Sequence, residues 1–153
     1  MPLDLKRKLL AQLVESSRLL RNHIDHRAKT KGTTRAQWIV LYRLRQQEGL
    51  SQVDLADVLE LQPISLVRLL DRLVEHGLLE RRHDPKDRRA NRLFLTPRGR
   101  QLVDDLDSLR DAIATDVLQD VPDPAIEASL TTLCDIKDRL KALSGPSGHV
   151  AAK

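Results

Sequence analysis

The chain has 153 residues, of which 41% are apolar and 31% charged, enough for one domain with a core of its own. No apolar run approaches the roughly 20 residues that span a bilayer. The first residues form a charged amphipathic stretch rather than a signal core, and the single cysteine, Cys134, excludes an internal disulfide and a cysteine-only metal cage; a cytoplasmic location is expected. The net charge of +4 is unevenly spread: Arg68 to Arg100 holds ten Lys/Arg against five Asp/Glu, and the rest of the chain holds 16 against 17. Trp38, Tyr42 and Phe94 are the only aromatic residues, so the core must be aliphatic, and leucines at helical spacing point to helix-on-helix packing.

From Leu3 to about Thr30, Leu5, Leu9, Leu13, Leu20 and Ile24 recur at helical intervals, widened by Leu10 and Val14, and predict a long amphipathic helix. Thr33 or Thr34 can cap a second helix from about Arg35 to Gln47, stopped by Gly49, with Trp38, Leu41, Tyr42 and Leu44 on or near its buried side. Ser51 with Asp54 resembles a capping box for a short helix that buries Leu55, Ala56 and Leu59. Pro63 suits the first position of the next helix, where its missing N–H costs nothing. On a helical wheel, residues 63 to 76 divide. Leu66, Val67, Leu70, Leu73 and Val74 form a packing side, while Ser65, Arg68 and Arg72 lie within roughly 60° of each other on the opposite side.

Gly77 ends that helix. Leu79 to His83 can pair with Arg92 to Thr96 around the polar loop Asp84-Pro85-Lys86-Asp87, giving a hairpin tipped by Arg88 and Arg89. Thr96 caps and Pro97 opens a further helix carrying Leu102, Leu106, Leu109, Ile113 and Val117. The break Val121-Pro122-Asp123-Pro124 precedes a last helix with Ile126, Leu130, Leu133, Ile136, Leu140 and Leu143. The Gly/Ser/Pro-rich tail, 144–153, reads as disordered.

The order helix, turn, helix, basic hairpin is that of a mostly α-helical winged helix-turn-helix. It would present Ser65, Arg68 and Arg72 to a DNA groove and the Lys86/Arg88/Arg89 hairpin to the adjoining backbone. Phosphate is a fitting acceptor for the positive excess, because each neutralised phosphate releases counterions. The terminal helices carry more leucine than the central unit can cover and predict a homodimer. A two-fold pair would set two recognition helices ~34 Å apart on a palindrome. The expected organisation is one domain over 1–145, with dimerisation helices at 1–32 and 101–143, a DNA-binding lobe at 34–100 and a wing at 79–96.

Gln62-Pro63, Ser65-Leu66-Val67-Arg68, Leu70-Asp71, Glu75-His76-Gly77-Leu78, Asp84 to Arg89 and Leu95-Thr96-Pro97, in that order and spacing, resemble the MarR family of bacterial winged-helix regulators. Ile24-Asp25-His26-Arg27 and Trp38 add a likeness to its SlyA-like branch. The resemblance covers roughly residues 9 to 110. It implies an obligate homodimer based on the first and last helices, with Ser65 and Arg68 in the major groove and Pro63 and Arg72 beside base edges or phosphate. One of Arg88 and Arg89 would enter the minor groove, and Asp84 or Asp87 would hold the wing arginines in register. It also implies an effector crevice for a small aromatic carboxylate, matched here by Arg18, Arg21, His26 and Trp38. Gln37 stands where SlyA-like chains often carry a histidine.

His23 and His26 have a zinc-compatible spacing but no recognisable third ligand, and read as surface histidines. Cys134 falls beside an apolar stripe and reads as a buried structural thiol. The chain shows no phosphate-binding glycine loop, nucleophile elbow or dinucleotide fingerprint, so neither catalysis nor a cofactor is expected. Two other readings use the same elements: a winged-helix module that meets protein, and a nucleoid-type binder largely indifferent to sequence.

Overall fold

The computed structural model describes residues 2–87 and 90–145. It contains six helices and one hairpin in the order α1 (Pro2–Thr30), α2 (Arg35–Gln46), α3 (Gln52–Leu59), α4 (Pro63–Glu75), β1 (Leu79–His83), β2 (Asn91–Leu95), α5 (Pro97–Leu118) and α6 (Asp123–Ser144). The mostly helical winged helix-turn-helix read from the sequence is the fold observed. Among the described residues, no helix is long and apolar enough to cross a membrane. The chain divides into two compact units, one ending at Ile113 and the other beginning at Ala114.

Local chemistry sets the element boundaries of the first unit. Thr34 caps α2 with a full capping box: its hydroxyl accepts from Gln37 N–H at 3.2 Å, and the Gln37 side chain accepts from Thr34 N–H at 3.3 Å. Ser51 caps α3 through Asp54 N–H at 3.1 Å, and Pro63 occupies the first turn of α4. The turn joining α3 to α4 passes through Glu60, which adopts a left-handed conformation, φ 53°, without being glycine.

β1 and β2 pair antiparallel with Leu79 opposite Leu95, Arg81 opposite Leu93 and His83 opposite Asn91. A third short segment joins them. Gly49 N–H donates to Leu93 O, Leu93 N–H donates to Leu50 O, and Ser51 bridges Arg92. Gly49 has φ 80°, and a β-carbon there would already touch the Phe94 ring at 3.4 Å.

The main core joins α2, α3, α4 and the wing through Leu41, Leu44, Leu55, Leu66, Leu70, Leu73, Leu79 and Leu93, all essentially inaccessible. Val103, near the start of α5, packs into it. A second cluster gathers Ala28 of α1, Trp38 of α2 and Leu106, Leu109 and Ile113 of α5. α5 is pinned to the wing base at Gly99, where a β-carbon would stand 2.0 Å from the Leu78 carbonyl oxygen. On α4 the packing side is narrower than the wheel suggests. Val67 is 39% exposed: it lies about 100° around the helix from fully buried Leu66, at the edge of the packed side.

The apolar stripe of α1 is largely uncovered, with Leu3, Leu5, Leu9, Leu10 and Val14 each about half exposed or more. In the second unit, α6 buries none of its residues, and Leu130, Leu133, Leu140 and Leu143 are exposed. Cys134 is exposed as well, which corrects the expected buried thiol: it lies on a helix that buries none of its residues. His23 departs from a surface histidine in the other sense, since its Nε2 is buried without a hydrogen-bond partner among the described residues. α6 continues through Ser144, so the first tail residue is helical; 146–153 lie outside the described residues.

Candidate functional site

Helix α4 presents its polar side as the wheel predicts. Pro63, Ser65, Arg68 and Arg72 are exposed, while Leu66, Leu70 and Leu73 on the other side anchor the helix in the core. Neither the Arg68 nor the Arg72 side chain has a hydrogen-bond or ion-pair partner among the described residues. Several other arginines of the unit are matched with acids. Arg45 binds Asp104 at 3.0 Å and also Asp107, Arg92 binds Asp84 at 3.1 Å, Arg82 pairs with Glu80, and Arg100 pairs with Glu48. Exposed and without an acid beside them, the two cations of α4 are available to an external anion.

The wing extends this surface. Strand alternation sends Leu79, Arg81, Leu93 and Leu95 to the side facing the helices and Glu80, Arg82, Arg92 and Phe94 to the other. On that outer side Arg82 lies over the Phe94 ring, 4.1 Å from its centre. At the turn, Lys86 is exposed and Asp84 organises the backbone: its carboxylate accepts from Lys86 N–H at 2.9 Å and from Arg92 Nε at 3.1 Å. These bonds, the Lys86 N–H first and Arg92 second, hold the Asp84 carboxyl below the usual carboxylate range. The wing arginine held by Asp84 is thus Arg92 on the strand. Asp87 is exposed and closes the loop through its carbonyl, which accepts from Ala90 N–H at 3.1 Å. Arg88 and Arg89, the expected minor-groove residues, lie outside the described residues.

A separate cavity of about 330 Å³ opens between α1, α2, α3 and α5. Its wall is aromatic and aliphatic, from Trp38, Tyr42, Ile24, Ile39, Leu59 and Ile113, with the guanidinium groups of Arg35, Arg43 and Arg110 around it. Arg35 is tied to Asp25 at 3.0 Å, and Arg110 lies over the Tyr42 ring at 5.1 Å. The Tyr42 phenol, chiefly through hydrogen bonding, shifts the Arg110 pKa upward, although an arginine is charged at neutral pH in any case. Of the four residues matched to an effector crevice, only Trp38 lines this cavity. Arg18 is exposed and paired with Glu15 at 2.6 Å, and Arg21 and His26 are exposed. Tyr42 follows Trp38 by four residues on one face of α2, a legible signal for the wall; Arg110, supplied by a distant helix, carries none.

The MarR family model matches residues 33–90, the span from the cap of α2 to the wing turn. A MarR-family transcriptional regulator from Rhodococcus sp. RHA1 is 28% identical, with 86% of this chain and 94% of that one covered at a TM-score of 0.73. A structure described as a MarR family transcription regulator superimposes over 96% of this chain and 100% of that one, with a TM-score of 0.84 and 22% identity. The transcriptional regulator SlyA shares the fold at 20% identity and a TM-score of 0.73, over 86% of this chain and 93% of its own. The MarR family model thus matches the helix-turn-helix and wing of this chain, and the solved structures share its fold.

Proposed function

We propose that the chain is a transcriptional regulator that binds palindromic duplex DNA as a homodimer, acts as a repressor, and releases DNA when a small aromatic carboxylate occupies the Trp38 cavity. The observation that carries DNA binding is the pair of exposed, unneutralised arginines on α4, Arg68 and Arg72, beside Ser65 and a basic wing. An α-helix with this face fits the major groove, and an arginine bidentate to guanine contributes about 1–3 kcal/mol of discrimination. Arg88 or Arg89 is assigned to the minor groove, where it reads groove width more than base identity. The uncovered leucines of α1, and separately those of α6, support a dimer, because an apolar helix face left open to water favours a partner.

An apolar, aromatic cavity rimmed by arginines suits a planar anion and supports the effector reading. Ile24-Asp25-His26-Arg27 and Trp38 support assignment to the SlyA-like branch, and a cytoplasmic location accords with a DNA-binding role. Charge reversal at Arg88 and Arg89 tests the DNA reading. Parent affinity for a cognate palindrome should fall by orders of magnitude between low and moderate salt, as several phosphate contacts require. R88E/R89E should bind far more weakly. Unchanged affinity of that variant at moderate salt removes the wing from the interface, and a protein-binding module would show no such salt dependence for duplex DNA.

A further inference from the structure

The core-facing side of the wing carries a charge. Along β1 that side holds Leu79, Arg81 and His83; along β2 it holds Leu95, Leu93 and Asn91. The leucines at the base are buried at 2%, 4% and 0% exposure, whereas His83 is exposed and Asn91 half-buried. Arg81, opposite Leu93, is therefore the outermost anchor the hairpin has on this side. Its guanidinium divides between two helices: Nε donates to Gln52 Oε1 at 2.9 Å, on the first residue of α3, and Nη2 donates to Asp71 Oδ1 at 2.6 Å, in the middle of α4. One side chain joins the wing, the first helix of the helix-turn-helix and the recognition helix.

We infer that Arg81 is a positioning residue that fixes the wing relative to α4, so that the major-groove and minor-groove contacts form as one cooperative unit. The inference rests on the DNA-binding reading above and adds to it a residue that faces the core rather than DNA. A two-stranded ribbon is marginal by itself and gains its order from what it packs on. Among the described residues, no buried apolar side chain holds this one beyond Leu93, and the backbone pairing with Gly49–Ser51 reaches only Arg92 on β2, so on β1 the polar tether of Arg81 takes over. Two contacts on a rigid frame reinforce one another because the second forms at high effective concentration once the first is made; a loose frame forfeits that gain. Arginine is required because its planar fork serves two acceptors that lie in different directions, whereas lysine offers a single ammonium.

The test uses the full chain, a cognate palindrome and a random duplex of equal length, with R81K and, as a second variant that leaves Arg81 in place, D71N. Amide hydrogen exchange is measured without DNA. R81K should speed exchange in β1 and β2 by about tenfold or more while α3 and α4 keep their protection. With DNA, R81K should weaken palindrome binding by roughly tenfold, leave random-duplex binding within about twofold, and abolish the non-additivity between R68A and R88A/R89A that the proposal requires of the parent. D71N should move the same readouts in the same direction. Unchanged wing exchange in R81K overturns the tether whatever DNA does. Equal weakening on both duplexes, with a shallower salt dependence, also overturns it, since Arg81 would then be a phosphate contact. A parent chain that binds the two duplexes alike refutes sequence-specific binding instead, and the exchange result still decides the tether.

Discussion

Thr96 holds the junction between the wing and α5 through two hydrogen bonds from one hydroxyl. Its Oγ1 donates to Gly77 O at 2.6 Å, across to the end of α4, and accepts from Gly99 N–H at 3.0 Å, capping α5. Thr96→Ala removes both. Loss of a helix cap costs about 1 kcal/mol. The Gly77 carbonyl stands at an exposed residue, where water can replace the lost donor, so that bond adds only about 0.5 kcal/mol. The expected loss is about 1.5 kcal/mol. Thr96→Ser keeps the hydroxyl and sheds one methyl from a half-buried side chain, for which about 0.4 kcal/mol is a fair ceiling. Urea unfolding at one fixed chain concentration measures both, because association would otherwise shift the midpoint. Equal destabilisation by alanine and serine would refute the assignment of the stability to the hydroxyl.

Leu70 is fully buried at the centre of α4, and Leu70→Ala should cost about 2–5 kcal/mol in the same assay. Asp84 has a folded-state pKa below its unfolded one, so its contribution is present above the ordinary carboxylate range and is lost as pH falls through the folded value. D84N should therefore be less stable than the parent near pH 7, with the difference vanishing in acid; a difference independent of pH contradicts the carboxylate's role. Arg68→Ala should relax base preference at one position of each half-site, read by competition among substituted duplexes. The cavity predicts saturable quenching of Trp38, the only tryptophan, by salicylate, together with a loss of DNA affinity. Absence of both would remove the effector site.

Features governed by neighbouring residues were legible in the sequence. Ser51, Thr34, Pro63 and Thr96 mark helix starts because each acts within one turn of its own position. The opposed leucine and arginine sides of α4 followed from periodicity alone. What escaped depends on distant partners. The Gly49–Ser51 segment that pairs with β2 is too short to show alternation. Arg81 looks like one more wing cation until Asp71 and Gln52 are seen beside it. Val67 has the period of a core residue but sits at the edge of the packed side, 39% exposed. Glu60 occupies a left-handed turn without the glycine that would have announced it. The cavity was found only through Trp38, because Arg110 and Ile113 arrive from α5.

Selection of bound sites from a random pool of duplex DNA, at moderate salt, bears most directly on the proposed function. Two copies related by a two-fold axis, each presenting Ser65, Arg68 and Arg72, predict an enriched palindrome whose half-sites are centred about one helical turn apart. The same selection with R68A should return a palindrome degenerate at one symmetric pair of positions. A pool left without a symmetric motif, or one that binds only in proportion to length and salt, would contradict sequence-specific recognition by α4.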